Sequence, residues 1–150
     1  VENMKKAMFG AGCFWGVEKK FYNLEGVLKT TVGYAGGHKE DPTYKAVCQD
    51  TTGHAEVVYL EYDPEIIDFE ELLDFFFSMH NPTTLNRQGP DIGSQYRSIV
   101  FYNNEKEKAL IEKKIESLNA SSKFLSPIVT DIASWQKFYE AEAYHQKYLF

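Results

Sequence analysis

Cysteine is scarce in this chain: two residues in 150, Cys13 and Cys48. That is too few for a disulfide scaffold and points to a reducing compartment. Long apolar runs are absent, and none approaches the roughly 20 residues that cross a bilayer. The opening residues VENMKKAMFG lack the apolar core of a signal peptide. Val1-Glu2-Asn3 before Met4 reads as an added remnant. Positive charge is short too. The net charge is −6 and no basic stripe appears, so nucleic acid and anionic membrane surfaces are poor partners. There is no repeat, low-complexity tract or Pro/Ser linker. The expectation is one cytoplasmic, soluble domain over residues 1–150.

Aromatic residues are plentiful, with 10 Tyr, 11 Phe and 2 Trp. Most must be core, and a surplus can wall a pocket. Residues 6–11 read as a strand and 14–23 as a helix. The β-branched stretch 27–34 is a second strand, and 35–52, with its glycines and Pro42, reads as mostly irregular. The alternation of HAEVVYLEY (54–62) predicts a third strand. Asp68 with Glu71 offers an acidic capping box for a helix over 69–79, with Phe69, Leu72, Leu73 and Phe76 on one face. The polar loop 81–95 leads into a strand at 98–102. Asn104 caps a long helix with Leu110, Ile111, Ile115 and Leu118 inward, and 127–132 suits an edge strand. The tail from residue 136 looks helical at first. The order β-α-β-β-α-β-α-β predicts an α+β fold: a two-layer sandwich in which helices cover a ferredoxin-like mixed sheet. The loops 35–53 and 81–96 could both border the Cys13 end.

The stretch FGAGCFWG (9–16) sets Cys13 where a strand stops and a helix starts. Exposed N–H groups there favour a thiolate, and Phe14 and Trp15 supply an apolar wall. Isolated cysteines are, however, usually small buried hydrophobes. A cysteine hydrolase would need one of His38, His54, His80 or His145, none with a surrounding signature. A zinc site from these and the cysteines matches no ligand spacing. Other stretches are more informative. Glu56 begins an otherwise apolar strand. If it faces the aromatic pocket, burial keeps it protonated as a general acid. DIGSQYRS (91–98) supplies Asp91 and Tyr96, and PTY (42–44) supplies Tyr44, whose hydroxyls are uncharged donors. Thiolate, neutral acid and hydroxyl donors suit attack on the sulfur of a sulfoxide. Its oxygen leaves only when protonated and held, and its methyl packs on the rings.

These residues stand in motifs that resemble a known family. GCFWG (12–16), GYAGG (33–37), PTY (42–44), GHAEVV (53–58), YDP (62–64), NPTTLNRQGPDIGSQYRS (81–98) and AEAYHQKYL (141–149) together are similar to the A-type peptide methionine sulfoxide reductases. The resemblance runs from Cys13 to Leu149. It implies an α/β sandwich, reduction of the S epimer of methionine sulfoxide, free or in proteins, and repair after oxidative stress. It implies Cys13 as nucleophile, Phe14 and Trp15 as methyl pocket and Glu56 as acid. Tyr44 and Tyr96 would hold the oxygen, and Asp91 would order water. Ala11 and Asn81 stand where glycine and aspartate are common.

Many members of that family carry recycling cysteines in a Gly-rich tail after the segment matching YHQKY, and this sequence shows none. Cys48 is then the one internal candidate for a resolving residue, set against a structural reading of a buried thiol. The preferred cycle uses Cys13 alone, as a sulfenic acid reduced by an external thiol: glutathione with glutaredoxin, or thioredoxin. No bound cofactor or metal is implied. A fused B-type reductase, or a native selenocysteine at position 13, would also account for the missing tail. A binding module for oxidised methionine and a thiol hydrolase or peroxidase are the competing classes.

Overall fold

In the computed structural model, which describes residues 3–150, the first strand β1 (Lys5–Ala11) turns its residues alternately to two faces. Ala7, Phe9 and Ala11 join the larger apolar cluster, and Met8 a smaller one on the reverse face, as the period of two requires. Residues 1 and 2 lie outside the described span, so most of the Val1-Glu2-Asn3 reading does too. Helix α1 (Phe14–Tyr22) packs its Phe21 ring 5.1 Å from Phe9. Strand β2 (Val27–Ala35) follows, then a five-residue helix α2 (Tyr44–Cys48), then β3 (Ala55–Tyr62). Helix α3 (Phe69–Ser78) begins at the expected capping box: Asp68 accepts from Glu71 N at 2.8 Å, and Glu71 answers at Asp68 N. A short hairpin, β4 (Arg87–Gln88) and β5 (Asp91–Ile92), precedes β6 (Ser98–Tyr102). Helix α4 (Glu105–Ala120) and strands β7 (Asp131–Ser134) and β8 (Tyr139–Glu140) complete the order.

The sheet runs β7-β6-β1-β3-β2-β8. Its four central strands pair antiparallel, in the split βαβ pattern of ferredoxin-like folds. The pairing of β6 with β7 is parallel, so the sheet is mixed, as expected. Antiparallel pairing brings the end of β1 beside the starts of β3 and β6: Ala11 faces Ser98, and Phe9 faces Val58. Cys13 therefore emerges where the two long loops close.

Residues 35–52 are mostly irregular, as expected, apart from α2, which Thr43 caps by accepting from Ala46 N at 3.1 Å. Three expectations are corrected. In α4, Ile111 is fully buried, whereas Leu110, Ile115 and Leu118 are half-buried. This helix lies at the margin of the core, tied to α3 by Lys114, which reaches Asp74 at 2.6 Å. The tail does not start as a helix. Its β8 pairs with β2 beside Gly33 and Tyr34, and the Gln146 amide bonds both N–H and C=O of Val32 at 2.9 Å. The edge of β2 offers unpaired backbone groups, and the tail satisfies them. Trp135 and Phe138 cover the reverse face of the sheet. Gly33 permits this, since a Cβ there would meet Tyr139 O at 2.3 Å. The edge strand expected over 127–132 lies a few residues later, at β7.

Candidate active site

Gly12 makes the turn that presents Cys13. Its φ is +100°, and a Cβ would stand 3.0 Å from the Gln88 side chain. Cys13 is the N-cap of α1 and half-buried. The helix start does act on the thiol, through hydrogen bonds from the N–H groups of Trp15 and Gly16, but burial outweighs them. Burial and the nearby carboxylates of Glu56 and Asp91 push the Cys13 thiol up to about 11. The expected resting thiolate is thus corrected: Cys13 rests protonated.

Glu56 stands on the helix-facing side of β3, in line with Val58 and Leu60. It is 1% exposed. Its Oε1 accepts from Phe14 N at 3.1 Å, and its Oε2 is buried with no partner. Burial first, then Asp91, raises its carboxyl to about 8 against the pull of the Phe14 N–H. Glu56 is therefore mostly protonated at neutral pH. An acid O–H can thus stand beside the thiol with nothing in the chain to receive it.

The loops supply the rest. Tyr44 opens α2, with its ring 6.4 Å from Phe14 in a stacked arrangement. Burial raises its hydroxyl, as do the Cys48 side chain beside it and Glu56. Tyr96 ends a 3-10 turn over Ser94–Tyr96, and burial together with Glu56, Cys48, Asp91 and Cys13 pushes it up to about 12. Asp91 comes from β5. The two loops are stitched by Arg97, which donates to Ser94 O at 2.8 Å and Gly53 O at 3.0 Å and pairs with Asp131. All seven residues expected at a catalytic or methyl-binding position border one end of the sheet.

Cys48 corrects the buried-thiol reading. It is exposed at the last position of α2, one turn from Tyr44 on the same helix face. Burial of its sulfur and the charges of Glu56 and Glu142 hold the thiol above its ordinary range, against a hydrogen bond from Tyr44. The histidines are engaged elsewhere or exposed. His54 is bonded to Gly37 N and Lys39 O, and His80 to Phe76 O and Ser98 Oγ. His38 is exposed. Among the described residues none pairs with Cys13, and no three His, Cys, Asp or Glu converge as metal ligands.

Three residues complete the walls: Glu142 and Tyr34, without a role in the sequence reading, and His145, named there only as a hydrolase or zinc partner. Glu142 accepts from Tyr34 Oη at 2.9 Å and Tyr44 N at 3.0 Å. Burial raises Glu142, but these bonds prevail and hold it below the usual carboxylate range. Tyr34 lies 5.7 Å from the Phe14 ring. His145 accepts from Trp15 Nε1 at 3.0 Å and lies 4.3 Å from the Tyr44 ring. The clustering of aromatics in AEAYHQKYL was the one signal for this wall. A separate cleft at the opposite end of β1, lined by residues that include Lys5, Lys6, Tyr59 and Glu61, holds no cysteine, serine, threonine or histidine.

A sequence model described as peptide methionine sulfoxide reductase matches residues 5–150. The peptide methionine sulfoxide reductase MsrA of Methanothermobacter thermautotrophicus is 53% identical over 145 residues, covering 97% of this chain and 86% of the relative. Methionine sulfoxide reductase A of Corynebacterium diphtheriae superposes with a TM-score of 0.88 at 35% identity, covering 99% of this chain and 75% of the other. Mxr1 of Saccharomyces cerevisiae in complex with Trx2 gives 0.64 at 30% identity, with 97% and 84% covered. No described helix is long and apolar enough to cross a membrane. With half of its residues shared across nearly its whole length, and with the matching fold, the chain belongs to the peptide methionine sulfoxide reductase family.

Proposed function

We propose that this chain reduces the S epimer of methionine sulfoxide, free or within oxidised proteins, through a sulfenic acid on Cys13, as a single cytoplasmic reductase domain over residues 1–150. The observation that carries the reading is the buried, unpartnered Oε2 of Glu56 beside Cys13. Phe14 and Trp15 take the methyl group. Glu56 gives its proton to the sulfoxide oxygen, Tyr44 and Tyr96 donate hydrogen bonds to it, and Asp91 orders water. Wall, acid and thiol fix three points around a tetrahedral sulfur, so one epimer fits and its mirror image does not.

Protonation makes the substrate sulfur cationic, and that charge favours the Cys13 thiolate despite its high resting value. The thiolate attacks the cationic sulfur, making a transient S–S bond, and the protonated oxygen then passes to the Cys13 sulfur as the substrate's S–O bond and the S–S bond break. The substrate sulfur gains two electrons and Cys13 loses two. The thiol proton has already left to solvent, and Glu56, ionised by its own transfer, takes a proton back from solvent. Two equivalents of external thiol then return Cys13 and release water. Thioredoxin, or glutathione with glutaredoxin, is the reductant class; the complex of Mxr1 with Trx2 supports the former. The roles of Cys13 and Glu56 require no metal or bound cofactor. A second reading rests on Cys48: it is exposed, and Tyr96 lies within reach of both thiols' charges. In that reading Cys48 is the resolving residue.

A single turnover without reductant, on separate S and R epimers, tests both. One methionine per chain from the S epimer alone, with a mass gain of one oxygen, is the expected result. Loss of both thiols without added oxygen would transfer the recycling role to Cys48. No methionine from either epimer would defeat the reductase reading and leave a binding module.

A further inference from the structure

The tail docks along one stripe of α1. Trp15, Glu18, Lys19 and Tyr22 recur at helical spacing, and each meets a residue of the segment 145–150. Trp15 Nε1 donates to His145 Nδ1, and the indole stacks on Tyr148 with centroids 4.1 Å apart. Lys19 reaches Leu149 O at 3.3 Å, and the Tyr22 ring meets Phe150. At the centre is a charge with no access to water. Glu18 is 0% exposed. Its Oε1 accepts from Lys147 N at 2.8 Å, and its Oε2 accepts from Thr30 Oγ1 at 2.8 Å and from Lys147 Nζ. Lys147 also donates to Thr30 O at 2.6 Å. Its backbone lies at φ +56°, the left-handed region, so these contacts hold a conformation that lysine seldom adopts.

Lys147 keeps 36% of its side chain exposed, whereas Glu18 is fully buried; an ion pair with one charge out of water is a costly way to add stability, and it is better suited to fixing one arrangement. We propose that Glu18 and Lys147 are positioning residues: they latch the tail on α1 so that His145 fixes the Trp15 indole in the orientation that receives the substrate methyl. The proposal rests on the reading of Trp15 as the methyl wall. A stacked ring on one face and a hydrogen bond at the edge leave the indole one rotamer. Two residues away from Trp15 along the chain sits Cys13, so the latch sets substrate fit without touching the reacting atoms.

The test uses steady-state kinetics on S methionine sulfoxide with saturating dithiothreitol, and Trp15 emission in a Trp135→Phe background. His145→Phe keeps a ring and removes the acceptor. It should raise KM about tenfold, the low end of what a methyl-sized apolar contact is worth, hold kcat within about twofold, and shift the emission. His145→Asn restores an acceptor near the Nδ1 position and should return KM and emission toward the parent values. Lys147→Met should raise KM as His145→Phe does. Should that variant fail to fold, the double variant Glu18→Gln with Lys147→Met, which leaves no buried charge alone, carries the same expectation. Unchanged KM in folded His145→Phe and latch variants overturns the proposal. So does a fall in kcat at constant KM, or a His145→Asn variant no better than His145→Phe. Trp15→Ala separates the two layers. If it leaves KM unaltered, the methyl-wall reading itself fails; if it raises KM while the latch variants do not, the latch alone fails.

Discussion

Glu56→Gln is expected to slow methionine formation in a single turnover by about 10²–10⁴-fold, the range for loss of a positioned acid. Glutamine keeps the shape and can still accept from Phe14 N, so the helix start remains in place. What it cannot do is give the oxygen a proton. The pH profile makes the assignment sharper. The competent free enzyme carries one proton on the pair, on Glu56 and not on Cys13. With Glu56 near 8 and Cys13 near 11, that singly protonated form is missing at low pH, grows as pH rises to about 8, and stays level until the thiol titrates. The parent kcat/KM should therefore climb and flatten near pH 8. In Glu56→Gln it should keep climbing tenfold per pH unit beyond 8, because only the thiol remains to titrate. A variant that flattens at the same pH removes Glu56 as the acid.

Cys13→Ser should yield no methionine above background while still binding the S epimer. Oxygen transfer to a serine hydroxyl would create a weak O–O bond where the parent creates a sulfenic acid, and the hydroxyl is a far poorer nucleophile near neutrality. Equilibrium titration with separate epimers, alongside a single-turnover assay, measures both halves. Methionine from this variant would end the case for Cys13. Equal binding of S and R epimers would mean that Phe14, Trp15 and Glu56 do not form a chiral fit.

The elements with local signals were legible. Ser98–Tyr102 is a strand because β-branched and aromatic residues dominate it, and α3 starts at Asp68 because the capping chemistry is written in four residues. The charge state of Cys13 was not legible. A helix N-terminus is visible in sequence, but burial and the convergence of Glu56 and Asp91 on the sulfur are tertiary facts. The short helix α2 hid among glycines and Pro42, with Thr43 as its sole marker. The tail misled for a related reason. Its residues suit a helix, but the open edge of β2 and the face of α1 offer partners that no local pattern reveals. Glu56 itself needed a family resemblance to stand above Glu18 and Glu61, and the structure gives a physical distinction. Glu18 is paired with Lys147 and Glu61 with Tyr59, whereas Glu56 keeps a free oxygen.

The contact of Trp15 with His145 closes a loop of 130 residues, and that of Glu18 with Lys147 a loop of 129. Closures of that span are slow and come after the nearer strand pairings have formed. Terminal segments also open at lower free energy than central strands. Discrimination between the S and R epimers in turnover should consequently appear after sheet circular dichroism during refolding and vanish before it in rising urea; coincident transitions would refute this order. The nucleophile and its acid would then assemble ahead of the wall that selects their substrate, so a newly folding chain passes through a stage at which it can react with sulfoxides before it can tell their hands apart.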